Sequence, residues 1–375
     1  MPLKEIDLIY RTMFAELDQR TLDGRFEKDY SVSGRFQKYT VKDRDYWYFI
    51  NPAAIPSKRY VGPVEDSEIT KRVEAFQEIK NDLKARRKFV TTLNRETGLP
   101  PPERLTGDVV AALADAGLFR LRGVLIGTVA FQTYAAYLGV RFPGAVLQTG
   151  DADFAQFHST SVAVEGSIPP VLELLQELDP SFRPIPHQMD SRFSTQFANS
   201  SKYKVEFLTP NRGSDDLSGR PSPMPSLGGA SAQPIRYLDF LIYEPVRTTM
   251  LHRSGVSVLV PSPERYAVHK LIVASQRLND ANGQAKRGKD LMQAKLLFEA
   301  LALTRRQDVL AEAFVEAWRR GPHWRQAITG GMNYLHEDYR EPMLVILNSG
   351  LTAIGEEIED FRWSGEMQAS APGPK

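Results

Sequence analysis

The chain has 375 residues, longer than a typical single domain, so two or three units are expected. Its 42% hydrophobic and 25% charged residues are those of an ordinary globular protein, and a net charge of +1 gives no global pull toward nucleic acid or membrane. It has no cysteine, which excludes disulfides, thiolate metal sites and a cysteine nucleophile and fits a reducing cytoplasm, and no apolar run approaches the ~20 residues that span a bilayer.

The first 21 residues carry Ile6, Leu8, Ile9, Met13, Phe14 and Leu17 at helical spacing, with acidic residues unlike those of a signal peptide. From Gly24 to Pro63, β-branched and aromatic residues alternate with Lys, Arg and Asp, punctuated by Gly34, Lys42-Asp43 and Pro52. This pattern predicts three short antiparallel strands, near 34–41, 44–50 and 58–61. The basic and aromatic residues of the tract are also the types on which single-stranded nucleic acid stacks, which makes RNA a candidate partner. Residues 66–95 read as a long charged helix capped by Asp66 or Ser67, with Ile69, Val73, Phe76, Ile79, Leu83 and Phe89 as its apolar stripe. Pro100-Pro101-Pro102 marks a boundary. A helix then starts at Thr106 or Gly107-Asp108 and stops at Gly117.

Val124-Leu125-Ile126 reads as a strand, Gly127-Thr128 as a turn and Val129 to Leu138 as a helix. Thr149-Gly150-Asp151-Ala152-Asp153-Phe154 reads as a second strand, with Thr149-Gly150 allowing close backbone approach at its start. Ser167–Leu178 is a predicted helix with Pro169-Pro170 in its first turn. Strands follow within 182–186, 190–199 and 201–210. Residues 211–234 are rich in Gly, Ser and Pro and read as a mobile loop, either a flap or a disordered connection. Further strands are predicted within 235–243, 247–253 and 256–262. Helices then dominate, at 263–278, 289–303, 307–321 and near 341–358, before a disordered tail.

Two features of the middle stretch carry chemistry. A Gly-Thr turn that ends a strand and opens a helix offers backbone N–H groups to a phosphate. In a strand, side chains two apart share a face, so Asp151 and Asp153 project together while Ala152 and Phe154 enter the core. Their mutual repulsion falls if a divalent cation lies between them. A third carboxylate on a later strand would complete such a cage. Glu206 in Lys-Val-Glu-Phe-Leu and Asp239 in Tyr-Leu-Asp-Phe-Leu are the candidates. Glu206 is preferred because it comes sooner and leaves the flexible loop at the metal edge. His158, His187 and His269 read as surface or packed residues, not ligands.

The order Gly-Thr, Asp-x-Asp, then an acid on a later strand resembles the DNA polymerase beta-like nucleotidyltransferase superfamily. The later text VPSPERYAVHKLIVASQRLNDANGQAKRGKDLMQAKLL sharpens the likeness to bacterial nucleotidyltransferase-fold families related to abortive-infection toxins. The resemblance covers about residues 105–300. It implies an α+β fold in which a mixed, twisted sheet forms a nucleotidyltransferase core (105–262). A C-terminal helical domain (263–362) follows and a tail (363–375) ends the chain. An N-terminal helix with a small antiparallel sheet (1–104) comes first.

It further implies Mg²⁺- or Mn²⁺-dependent transfer of a nucleoside monophosphate from an NTP such as ATP to an acceptor hydroxyl. That acceptor is an RNA 3′ end, a protein or a small molecule, met in the cytoplasm without a membrane. Asp151 and Asp153 match the metal ligands and Glu206 the third carboxylate, with Asp239 as the alternative. Gly127 and Thr128 match the phosphate turn, and Lys270 matches the lysine that reaches the triphosphate. Arg277, two turns on along the same face, would present a second cation to the triphosphate beside Lys270, and Arg277 and Lys289-Asp290 match the downstream part. Asp290 would pair locally with Lys286 or Lys289, or hold its helix onto the core. This sequence has Ile-Gly-Thr where many members have Gly-Gly-Ser or Gly-Gly-Thr, and Glu206 where Asp is commoner. Two other functions suit the same fold: a catalytically silent nucleotide- or nucleic-acid-binding module, and a toxin–antitoxin-type interaction protein.

Overall fold

The computed structural model describes residues 3–23, 34–41, 44–51, 57–99, 101–143, 150–163, 167–211 and 219–361. The predicted turn at Lys42-Asp43, Pro52, Thr149, part of the Gly/Ser/Pro tract (212–218) and the tail 363–375 lie outside the described residues.

In chain order the elements are β1 (Lys4–Glu5), α1 (Leu8–Asp23), β2 (Arg35–Val41), β3 (Arg44–Ile50), β4 (Lys58–Pro63), α2 (Ser67–Thr97), α3 (Arg104–Ala116) and β5 (Val124–Ile126). Next come α4 (Gly127–Leu138), β6 (Val140–Arg141), β7 (Asp151–Ala155), α5 (His158–Ala163), α6 (Val171–Leu178), β8 (Arg183–Pro186), β9 (Ser194–Ala198) and β10 (Lys204–Pro210). The rest are β11 (Ser222–Pro223), β12 (Ser231–Ile235), α7 (Leu238–Leu241), β13 (Val246–Met250), β14 (Val256–Val260), α8 (Pro263–Gln276), α9 (Ala281–Leu303), α10 (Gln307–Arg319), α11 (Pro322–Asn333) and α12 (Glu337–Ala353). The chain clusters into two compact units. One holds residues 7–101 with 249–257, and the other holds 1–6, 102–248 and 258–375.

The smaller unit contains the predicted three-stranded sheet, β2-β3-β4, antiparallel throughout. Phe36 and Phe49 from one of its faces meet Phe76 of α2, with ring centroids 4.9 and 6.0 Å from Phe76. Helix α1 packs along α2, burying Phe14 and Leu17. Leu8 and Ile9, expected in the same stripe, are exposed instead, because the buried face begins at Phe14. Asp82 accepts from Arg20 (3.1 Å) and Arg86 (2.8 Å) and so ties α1 to α2.

The larger unit is built on a mixed sheet whose central strand is β10. β7 runs parallel to β10 on one side. On the other side, β9 pairs antiparallel with its first half and β12 parallel with its second. β5 closes the far edge, antiparallel to β7, and β8 extends β9. The sheet's apolar face is set by period-two alternation: Ala152 and Phe154 of β7, and Val205 and Phe207 of β10, are all buried. Phe154 and Phe207 stack with centroids 5.8 Å apart. The C-terminal helices form the helical layer, with α8 against α9 and α11, and α10 against α12. This is the α+β architecture with a mixed sheet and C-terminal helices that the sequence implied.

Several local expectations are corrected. Residues 235–243 are not a strand. β12 ends at Ile235, Tyr237 turns through φ 65°, and 238–241 form a single helical turn. A short apolar run cannot distinguish the two by pattern. The 219–235 part of the Gly/Ser/Pro tract is not a free loop but carries β11, a 3₁₀ turn (Pro225–Leu227) and β12. Ser226 there is fully buried, with its hydroxyl on Gln156 Oε1 (2.9 Å) and Ser161 Oγ (2.8 Å). Helix α3 starts at Arg104, capped by the Glu103 carboxylate on the Thr106 N–H. Helix α6 starts at Val171, with Pro170 as its cap. Helix α9 starts eight residues before the expected Lys289, where the Asp280 carboxylate accepts from the Gly283 N–H (2.6 Å). Helix α11, for which no pattern was found, packs its Gly331 against the backbone of Leu271, where a Cβ would collide.

Candidate active site

The polar face of the sheet is organised by strand register. β7 and β10 run parallel with Asp153 opposite Glu206 and Asp151 opposite Lys204. Directly paired residues project to the same face, so Asp151, Asp153 and Glu206 share one side of two adjacent strands. Among the described residues, no three His, Asp or Glu side chains are drawn together into a ready-made cage. The Glu206 carboxylate is turned toward β9, where Gln196 Nε2 donates to Glu206 Oε1 (2.8 Å).

This arrangement is electrostatically costly. Burial, followed by the charges of Asp151 and Glu206, pushes the Asp153 carboxyl up to about 8, against the opposing pull of Lys270 and Lys286. Burial and then Asp151 also push Glu206 up, against the Gln196 hydrogen bond and the charges of Lys204 and Lys286. A face on which the Asp153 carboxyl is pushed up this far is short of positive charge. Its donors are all hard oxygens, the set that Mg²⁺ and Mn²⁺ prefer, so the residues fit such an ion.

The phosphate-type turn flanks this face. β5 ends at Ile126, opposite Asp153, and α4 begins at Gly127 with no intervening loop. Gly127 sits at φ 66°, and a Cβ there would run into Asp153 Oδ2. Glycine is therefore required both by the left-handed backbone and by the carboxylate beside it. Gly127 and Thr128 are partly exposed, while Val129, Ala130 and Phe131 behind them are buried, and the first N–H groups of a helix have no partner within it. The buried Tyr266 hydroxyl of α8 holds the turn, donating to the Gly127 carbonyl oxygen (2.9 Å), with Gln293 Oε1 3.1 Å away. Gly127→Ala is expected to cost about 1–2 kcal/mol for the backbone alone. It should also weaken Mg²⁺-dependent nucleotide binding at least tenfold, as read by calorimetry, because Asp153 must move.

Cations arrive from α8 and α9. Lys270 Nζ meets Asp290 Oδ1 (2.6 Å) and Arg277 Nε meets Asp290 Oδ2 (2.8 Å). Lys270 and Arg277, which their spacing put on one face to meet a triphosphate, both engage one carboxylate. Asp290 thus pairs with Lys270 and Arg277 of the preceding helix segment, and its charge also acts on Lys289. Burial would raise Asp290, but Lys270 and Arg277 outweigh it and hold the carboxyl below its ordinary range. Residues 286, 289, 290 and 293 fall on one face of α9. Lys286 acts on Asp153 and Glu206, and Lys289 feels both Asp151 and Asp153. Burial, then the neighbouring Lys270, holds the Lys289 ammonium below its usual range.

Asp239 stands apart from this set. It lies on α7, not on a strand, and its carboxylate is ion-paired with Arg320. The strand that supported it as an alternative third ligand does not exist. Gln196 and Tyr266, which sequence reasoning did not select, border the carboxylates or the turn, and Lys286 and Lys289, which it named only around Asp290, act on the carboxylates. Only the two lysines left a signal, three residues apart before Asp290, and it became readable once α9 began at Ala281.

A sequence profile of the nucleotidyltransferase family matches residues 104–319, from the first residue of α3 to the last of α10. The chain belongs to the nucleotidyltransferase family. No curated protein and no solved structure matches it. Among the described residues, no helix is long and apolar enough to cross a membrane.

Proposed function

We propose that the protein transfers a nucleoside monophosphate from an NTP to an acceptor hydroxyl, with Mg²⁺ or Mn²⁺ held by Asp151, Asp153 and Glu206. The observation that carries this reading is the parallel register that sets Asp153 beside Glu206, with Gly127 against Asp153. The bound ions would neutralise the phosphates and lower the charge at the reacting α-phosphorus. Gly127 and Thr128 offer N–H groups to the β- and γ-phosphates, and Lys270, with Lys286 and Lys289 on the facing helix, supplies positive charge. Arg277 shares Asp290 with Lys270 and steadies it. The acceptor hydroxyl gives its proton to Glu206, and its oxygen bonds to the α-phosphorus. The α–β bridging P–O bond breaks, and pyrophosphate leaves with the electron pair. Catalysis of this kind is mostly positioning and charge neutralisation.

An RNA 3′ end is the acceptor we favour over a protein or small molecule. The N-terminal sheet supports it by placing Lys58 Nζ 3.3 Å from the Tyr39 ring centroid and 4.3 Å from that of Tyr48, a basic-aromatic surface suited to stacked bases. The test is incubation with α-labelled NTPs, Mg²⁺ and total RNA or lysate. Label should pass to an acceptor and be lost with Asp151→Asn. If triphosphate binds but no label moves, the protein is the silent nucleotide-binding module. If Asp151→Asn leaves nucleotide affinity in Mg²⁺ unchanged, the metal assignment is wrong.

A further inference from the structure

The strand order separates the two sides of the carboxylate face. The Gly127 turn lies on the β5 side, and a pocket of about 340 Å³ lies on the opposite side, beyond β10. Its walls include Ile185, Pro186, His187, Met189, Gln196 and Gln233. Register places this pocket on the catalytic face. Gln196 is the β9 partner of Glu206, Ile185 the β8 partner of Gln196, and Gln233 the β12 partner of Leu208, two residues along β10 from Glu206. Gln196 belongs to both the pocket and the carboxylate site, because its amide nitrogen is the group that holds Glu206.

The chemistry of the walls narrows the occupant. No Lys, Arg, Asp or Glu is among the described residues lining the pocket, so those residues offer nothing to balance a buried phosphate or carboxylate. Its described polar side chains are His187, Gln188, Thr195, Gln196 and Gln233, and hydrogen bonds orient His187, Gln196 and Gln233. One Gln196 Nε2 hydrogen goes to Glu206, which leaves Gln196 its Oε1 as an acceptor and a second N–H. His187 Nε2 lies 2.7 Å from Gln233 Oε1, while its Nδ1 accepts from the Met189 N–H (3.2 Å). His187 is therefore the donor in that pair, and the Gln233 amide nitrogen is left to donate, among the described residues in reach only of the Pro234 carbonyl at 3.5 Å. An acceptor and a donor between apolar walls match the edge and faces of a nucleobase. A sugar ring, with hydroxyls and no flat apolar face, would leave Ile185, Pro186 and Met189 uncovered. The volume is in the ~300–1,000 Å³ range of small-ligand sites.

We propose that this pocket seats the base of the acceptor, so that the acceptor is a nucleoside unit whose ribose hydroxyl faces Glu206. This rests on the nucleotidyl-transfer reading and adds the acceptor's chemical class to it. The displacement is the one written above, with the ribose hydroxyl as the attacking oxygen.

The test uses the full chain and calorimetry with adenosine, guanosine, cytidine and uridine, which carry no phosphate, and separately with Mg²⁺ and α,β-methylene-ATP. At least one nucleoside should bind whether or not the triphosphate analogue is present. Gln233→Leu should weaken that binding about tenfold or more, the loss of one base-edge contact. Met189→Glu, at an exposed wall position where folding is not at risk, should weaken it too. Asp153→Asn should leave it unchanged while abolishing Mg²⁺-dependent analogue binding. The proposal is overturned if no nucleoside binds, if both wall variants bind as tightly as the parent, if nucleoside and analogue compete, or if ribose binds as well as the nucleosides. Loss of analogue binding by the parent protein would instead count against nucleotidyl transfer itself.

Discussion

Asp153→Asn should abolish nucleotide transfer and at the same time stabilise the metal-free protein. The loss of transfer should be on the order of 10³-fold, about 4 kcal/mol of transition-state stabilisation, because an amide neither balances a cation nor occupies Asp153's place between the Gly127 turn and Glu206. The gain in stability follows from the carboxyl's displacement up to about 8 by burial and by Asp151 and Glu206. An unfolded aspartate titrates near 4. Between roughly pH 4 and pH 8 the folded protein therefore holds a proton that the unfolded chain has released. Stability must fall as pH rises through that window. The amide keeps the neutral form's shape without the ionisation cost. The variant should melt a few degrees higher than the parent at pH 8, with the difference shrinking toward pH 5. Mg²⁺ should raise the parent's Tm and leave that of the variant almost unmoved. Melting curves at pH 5, 6.5 and 8, each with and without Mg²⁺, test all three statements. A parent Tm indifferent to both pH and Mg²⁺ would remove Asp153 from the metal site.

How much of this site the sequence carried depends on the range of the interaction. The Asp151/Asp153 pair was legible because period-two alternation is a property of one strand, and Ala152 and Phe154 behaved as that rule requires. The N-terminal sheet was legible for a related reason, since its three strands are sequential neighbours. Glu206 was identified as a lone acid in an apolar strand, but its exact pairing with Asp153 was not visible. Register between parallel strands is set by packing of the opposite face, here Phe154 on Phe207.

Asp239 shows the opposite failure. Its apolar context suited a strand equally well, and the positive φ at Tyr237 that broke it leaves no mark in a single sequence. Helix α9 was clipped because Gly283 and Gly288 each lower helix propensity by about 1 kcal/mol. The Asp280 cap and the packing of α9 on α8 overrode them. Clipping α9 hid Lys286 as a site residue. It also led Asp290 to be assigned to its sequence neighbours, when it pairs with Lys270 and Arg277 of the preceding helix segment.

Asp290→Asn is the other substitution expected to have a large effect, and it acts through stability as much as catalysis. Asp290 is 3% exposed and holds Lys270 and Arg277 on separate oxygens. Removing the charge leaves the largely buried Lys270 facing Arg277 and Lys289, with water screening mainly the Arg277 end. Breaking a buried pair from one side costs about 3–5 kcal/mol, which corresponds to a fall in Tm on the order of 10 °C. His269, beside Lys270, cannot relieve the strain by changing charge, because burial and Lys270 hold it down at about 3 and it is already neutral. The pH dependence has a definite sign. Asp290 is depressed in the folded protein, so its contribution is present above about pH 4 and is lost as pH falls through its folded value. The gap in Tm between parent and variant should thus be widest near pH 7 and narrow in acid.

A second substitution separates the structural from the catalytic role. Adding Lys270→Met to Asp290→Asn removes one stranded cation and should recover a kcal/mol or more of stability. It should not recover transfer if, as proposed, Lys270 also meets the triphosphate. The order expected in Tm is parent, then double variant, then Asp290→Asn. The order expected in transfer is parent, then Asp290→Asn, then double variant. If the two rankings coincide, Lys270 serves only to hold α8 against α9, and the triphosphate must be met by Lys286 and Lys289.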